Sequence, residues 1–317
     1  MKLHCLIAAV LFALGAQAAS AQAFPSKPIR VYTGNPPGTV IDGCVRLVAA
    51  ELEKALGQPV VVEHKTGANS TIAAQAARTA APDGHTLLLG SGPQASTLLN
   101  EANGVDVGRE MVPVSMLVKA PYILFARASL PANTMAELAA YSKANPGKLK
   151  FGAASSVQQL VMAVIGLRTG VTVQNIPYRG SPPVVTAMLA EEVDLGTSSL
   201  PPFLPHVQTG RIKAMMVATD KRMPQIPQTP SGFEVGVPAD LGLFVGLWAP
   251  LGTPAEVTRK LSQAFAGAIK SPTASEQLRK NFGAEPIGST PEELARLVEV
   301  DMKLWTEAVK ATNFKPQ

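Results

Sequence analysis

The sequence predicts an α/β fold in two lobes, joined by a hinge of two chain crossings. Three observations carry that prediction. Short apolar, β-branched runs alternate with helical patterns, starting with 29–32 and the helix at about 42–56. A second series of the same kind begins near Tyr122. After about Phe244 the chain reads as a return to the first lobe, closed by a long C-terminal helix. The expected division is 24–121 with 246–317 for one lobe and 122–245 for the other. The alternation implies largely parallel sheets covered on both faces.

The elements follow in order. Residues 1–23 read as a secretory signal: Lys2 and His4, an apolar run at 6–14, and the small-x-small site Ala21-Gln22-Ala23. The run is well short of the roughly 20 residues a membrane span needs. The strand at 29–32 leads through a Pro/Gly loop into the first helix. A strand at 60–63 leads to a small-residue helix at 71–80, and a strand at 86–89 to the loop GSGPQAST. In the second series a strand at 122–126 precedes Thr134, an N-cap with Glu137 three residues on. That helix stops near Asn145-Pro146-Gly147. A strand at 148–151, a small-residue loop at 152–156 and a helix at 157–168 follow. Then come a strand at 173–176, the turn PYRGSPP, a short helix at 184–189, and strands at 193–195 and 212–218. The Pro-rich stretch 223–238 reads as a surface loop before the apolar run 243–247. Thr253-Pro254-Ala255-Glu256 and Thr290-Pro291-Glu292-Glu293 both combine an N-cap, Pro at the first helical position and Glu at the third, and Ser271-Pro272 starts a shorter helix between them.

Composition excludes several classes. Aromatics are only 5% of the 317 residues, which argues against a sugar cleft lined by Trp and Tyr. The net charge of +5 comes from dispersed basic residues with no stripe interleaved with aromatics, so no nucleic-acid partner is expected. Cys5 leaves with the signal, so Cys44 is alone and expected to be a buried structural thiol. His64, His85 and His206 stand apart with no metal-ligand spacing, and no cofactor is expected. No G-x-S-x-G elbow or S-x-x-K pair is present.

Three loops rich in Gly, Ser, Thr or Asn, at 35–42, 90–97 and 152–158, follow strands in such a sheet, where α/β folds bind ligands. A Gly-bearing loop opening a helix presents backbone N–H groups that suit an anion such as a carboxylate. Asp42 lies in the first helical turn, either as a capping partner or as an acceptor for a ligand. Arg179 in the Tyr178-Arg179-Gly180 turn is either a solvated turn residue or a carboxylate fork.

These motifs together resemble the extracytoplasmic solute-binding proteins of the Bug type, the receptors of tripartite tricarboxylate transporters. FPSKPIR at 24–30, Pro36-Pro37-Gly38 with Asp42 and Arg46 in register, ALGQPVVVEHKTGA at 55–68 and APDGHTLLLG at 81–90 carry the likeness. So do NPGKLKFG at 145–152, IPYRG at 176–180, WAPLGTP at 248–254 and GAEPIGSTPEE at 283–293. The resemblance implies a two-lobed periplasmic binding fold of type II-like form. It also implies capture of a small organic carboxylate, di- or tricarboxylate or aromatic, by a monomer that delivers it to membrane permease subunits. Carried over, it places Gly38, Thr39 and Asp42 with Ser91 and Gly92 on one side of the ligand, and Ser155, Ser156, Tyr178 and Ser198 on the other. Thr39 stands where the family keeps a second Gly, Asn69-Ser70-Thr71 replaces a Gly-Gly-Asn run, and Gln159 falls where a His is usual. Gly196-Thr197-Ser198 follows Val-Asp-Leu where members often place an Asp, which points away from an amino-acid ligand. An adaptor presenting the solute to a sensor, and a secreted hydrolase, are the other readings.

Overall fold

The structure, a computed structural model, describes residues 24–90, 105–238 and 240–314. The expected signal at 1–23 and the expected site residues Ser91 and Gly92 lie outside them. Along the chain the first lobe contributes β1 (Ile29–Thr33), α1 (Val40–Leu56), β2 (Val60–His64), α2 (Thr71–Arg78), β3 (Thr86–Gly90), α3 (Val107–Glu110) and β4 (Met111–Pro121). The second holds β5 (Ile123–Arg127), α4 (Met135–Ala144), β6 (Lys150–Ala153), α5 (Ser156–Thr169), β7 (Gln174–Pro177), α6 (Ser181–Leu189), β8 (Leu195–Ser198), α7 (Leu204–Gln208) and β9 (Ile212–Val217). The chain then returns to the first lobe with β10 (Gly242–Pro250), α8 (Ala255–Ile269), α9 (Pro272–Gln277), β11 (Glu285–Pro286) and α10 (Pro291–Thr312).

Two sheets result, in the orders β11-β4-β10-β3-β1-β2 and β7-β6-β8-β5-β9. Both are mixed rather than largely parallel. The pairs β1–β2, β1–β3, β6–β7 and β6–β8 are parallel, whereas β10 runs antiparallel to β3 and β4, and β5 antiparallel to β8 and β9. The cause is the hinge. β4 leaves the first sheet and β10 re-enters it beside β4, so the two crossing strands must point in opposite directions.

Local chemistry sets the helix ends. α1 starts two residues earlier than its apolar pattern suggests, because Thr39 takes the cap and accepts from the Asp42 N–H; Gly57 at φ 72 ends it in the left-handed conformation. α10 has a complete capping box, in which Thr290 accepts from Glu293 N and the Glu293 carboxylate accepts from Thr290 N at 2.8 Å. The matching phrase at 253–256 behaves differently. The Thr253 hydroxyl donates to the Pro250 carbonyl at 2.8 Å, and α8 begins without a side-chain cap.

The largest apolar cluster runs without a break through both lobes, from Ile29, Val45 and Leu87 through Tyr122, Leu241 and Leu243 to Phe151, Leu160 and Met216. Each large aliphatic side chain so buried contributes about 1.5–3 kcal/mol. α10 belongs to both halves. Its first turns put Leu294 and Val298 against Trp248 and Phe244, its later turns put Trp305 into the shared cluster, and it packs on β4 and on α5 of the second lobe. Among the described residues no helix is long and apolar enough to cross a membrane.

Candidate ligand cleft between the lobes

A cleft of about 650 Å³ lies between the sheets. The first turns of four helices line it: Thr39 and Ile41 at α1, Ser70 and Ile72 at α2, Ser155 to Gln158 at α5, and Gly180 and Ser181 at α6. Helix N-termini carry partial positive charge and unpaired N–H donors, so their convergence favours an anion. Tyr122 and Leu243, at the two hinge strands, add an apolar wall, and Ser198 and Ser199 follow from the end of β8.

On the second-lobe side the hydroxyls form a network. Ser198 Oγ donates to Ser181 Oγ at 2.8 Å, and Gln158 Nε2 donates to the same oxygen at 3.4 Å. Gln158 Oε1 accepts from Ala154 N at 2.9 Å, which pins the loop before α5, and Ser155 caps that helix by accepting from Gln158 N. Gln158 and Ser181 are both buried. Sequence reasoning passed over them because the partners converge from three separate loops. The one local signal was the spacing of Ala154 and Gln158 across the start of a helix, where a Gln reaches back to a backbone N–H. Tyr178 lines the wall with its backbone N–H given to Ala153 O at 2.8 Å. Burial raises its phenol above the ordinary value, with Glu192 adding to the effect.

On the first-lobe side Thr39 faces the cleft and donates its hydroxyl to Pro36 O at 3.1 Å. Gly38 and Asp42, expected to face a ligand, do other work. The Gly38 N–H is donated to Asp42 Oδ2 at 3.1 Å, and neither residue lines the cleft. Asp42 is buried behind the wall, where Oδ1 also accepts from Arg46 Nε at 2.6 Å and lies 3.1 Å from His64 Nε2. His64 Nδ1 donates to the Asn35 carbonyl at 2.7 Å. His64, alone in the sequence, is therefore a brace that joins β2 to the loop at 34–38. The physical reason is competition for lone pairs: a carboxylate already engaged by the Gly38 N–H and Arg46 Nε has less left to offer a ligand. Cys44 is buried within α1 with its thiol donated to Ile41 O, and burial pushes its pKa up, as a structural thiol requires.

Besides the hinge and the packing of α10 on α5, the lobes touch at further places. At one lip, a Cβ on Gly180 would lie 2.9 Å from Pro36 Cγ, and Gly180 itself has φ +100, a conformation that side chains other than glycine rarely adopt. Away from that lip, Gln225 Nε2 donates to the Arg279 carbonyl, and Met223 Cε sits over Gly283. Among the described residues no group of His, Cys, Asp and Glu is arranged to hold a metal ion. No acidic side chain lines the cleft among the described residues.

Comparison with known proteins agrees with this geometry. The chain is similar to the protein BugT of Bordetella pertussis (strain Tohama I), 32% identical over 302 residues, which are 93% of this chain and 92% of that protein. Its fold matches a solved structure of Rpa4515 from R. palustris with adipate, at TM-score 0.87 and 29% identity, covering 93% of this chain and all of that one. It also matches MatC from Rhodopseudomonas palustris with bound malate, at TM-score 0.83 and 30% identity, covering 90% of this chain and all of that one. Residues 44–314 match the family described as the tripartite tricarboxylate transporter family receptor, and the chain belongs to that family, a family of two-lobed solute-binding receptors.

Proposed function

We propose that this chain is a periplasmic receptor that closes its lobes on a small organic carboxylate and presents it to the membrane permease of a tripartite transporter. The lobes that move are 24–121 with 246–317, and 122–245. The receptor acts as a monomer, reaches the periplasm by the cleavable segment 1–23, and carries out no chemistry on its ligand. The observation that carries this reading is the meeting of four helix N-termini and a serine network around a cleft whose described lining has no acid. A carboxylate is received there by dipoles and hydrogen bonds to hydroxyl and backbone groups, which strengthen in a partly dehydrated site. Thr39, Ser155, Ser156, Tyr178 and Ser198 are the contact residues, with Ser181 beside Ser198. Gly38 and Asp42 hold the loop that carries Thr39.

Relatives solved with adipate and malate support a carboxylate as the ligand class. An amino-acid ligand would bring an ammonium group that needs an acid, and Ser198 stands with its hydroxyl turned to Ser181 where an acid would serve. Thermal melting of the purified mature chain against a panel of aliphatic and aromatic carboxylates, with aspartate and glutamate beside them, tests the reading. At a hundredfold excess over Kd, binding to the folded state stabilises it by about 2.7 kcal/mol, which is readily seen. Stabilisation by aspartate or glutamate alone would sink it.

A further inference from the structure

Arg179 is the one charged side chain lining the cleft among the described residues. It is exposed, and no hydrogen bond or ion pair ties it to another described residue. Its backbone is held on both sides. Tyr178 N is bound to Ala153 O at 2.8 Å, Gly180 sits against Pro36 of the opposite lobe, and Ser181-Pro182-Pro183 begin α6 directly after. The two prolines fix their own φ angles, so the segment arrives at the lip with little freedom left to lose. The Arg179 guanidinium presents a planar fork of donors that matches a carboxylate. The serine network and the helix N-termini, by contrast, supply partial charges only.

We propose that Arg179 is the selectivity element of the cleft, taking up a second anionic group so that the ligand is a dicarboxylate rather than a monocarboxylate. The proposal rests on the carboxylate-receptor reading above and adds to it a residue and a charge. Because Gly180 meets Pro36 only where the lobes touch, the fork is seated at the lip by closure, and the distal carboxylate is bound last. A solvated turn arginine would leave mono- and dicarboxylates of equal length indistinguishable.

The experiment is calorimetric titration of the full mature chain with matched pairs: succinate and butanoate, adipate and hexanoate, suberate and octanoate. Arg179→Gln and Arg179→Lys are titrated beside the parent, and unliganded melting checks that each variant folds. The expected result is a dicarboxylate bound at least about tenfold more tightly than its monocarboxylate partner, since a charge-assisted hydrogen bond contributes on the order of 10- to 100-fold. Arg179→Gln should reduce that ratio to about one and leave monocarboxylate affinity unchanged, while Arg179→Lys should keep part of it. Equal binding of both partners by the parent, or an equal loss of both in Arg179→Gln, overturns the proposal and leaves the carboxylate reading standing. Binding of none of the six acids or of any other carboxylate overturns both.

Discussion

Asp301→Asn should stabilise the receptor above pH 6. Asp301 lies on α10 near the hinge, partly buried, and accepts from Trp305 Nε1 at 3.0 Å. Burial raises its pKa from 3.8 to about 6, against the opposing effects of the Trp305 hydrogen bond and of Lys119; Asp240 adds to the rise. The hinge tyrosine Tyr122 feels the same carboxylate, which raises its phenol further beyond the effect of burial. The unfolded chain releases the Asp301 proton near 3.8 and the folded chain near 6, so between those values the folded state holds more protons. Stability therefore falls as pH rises through that window, and the loss is complete above it. At 1.36 kcal/mol for each tenfold in proton affinity the ceiling is ~3 kcal/mol. Part of the carboxylate meets solvent, so the expected gain is about 1–3 kcal/mol at pH 8. An asparagine keeps the acceptor for Trp305 and carries no charge to desolvate. Urea unfolding of parent and variant at pH 8 and pH 5 measures the gap, which should shrink toward the lower pH. A variant no more stable than the parent at pH 8, or a gap that widens on acidification, would refute the argument that burial of a charge at the hinge is what costs stability.

Two further outcomes follow from the site. Asp42→Ala removes an acceptor shared by the Gly38 N–H and Arg46, beside His64. Because Arg46 is half-exposed, the loss in urea unfolding should be about 2–3 kcal/mol rather than the larger penalty of a fully buried pair, and ligand affinity should fall with it as the loop at 34–38 loosens. Gln225→Ala removes the hydrogen bond from the second lobe to the Arg279 carbonyl, along with a buried Gln oxygen that has no partner. Global stability should hardly change, while affinity for a bound carboxylate should weaken about 2- to 10-fold and the unliganded radius of gyration in solution scattering should rise. Unchanged affinity would remove this contact from the closing equilibrium.

Much of the architecture was legible because its signals are local. The caps read at Thr134 and Thr290 both accept from the backbone N–H three residues on, whereas the one read at Thr253 does not form and the caps at Thr39 and Ser155 lie in stretches that read as loops. At Thr134 the Glu137 carboxylate reaches past the cap to Asn133 N, a small departure from the full box. The longest strand, β4, has no such signal. It is buried along most of its length, so apolar and polar residues do not alternate, and Pro113, Ser115 and Lys119 interrupt the apolar run. Strand direction was misjudged for a related reason: alternating strands and helices predict parallel pairing, whereas β10, where the chain returns to the first sheet, and β5, where it enters the second, both run antiparallel to their neighbours. Within the site, loop composition marked Thr39, Ser155 and Ser156. The roles of His64, Asp42, Gln158 and Ser181 depend on partners far away in sequence, and the meeting of Pro36 with Gly180 is a matter of how the lobes approach. Neither leaves a local trace.

The placement of α10 has a consequence for how the receptor can be divided. Trp305 and its neighbours fill apolar space shared by both lobes, and the helix rests on α5, the element whose first turn lines the cleft. The two hinged lobes therefore share part of one apolar core. Excising the second lobe as a stand-alone fragment would bare the flank of α5, and ending the chain before Pro291 would strip a cover from both lobes at once.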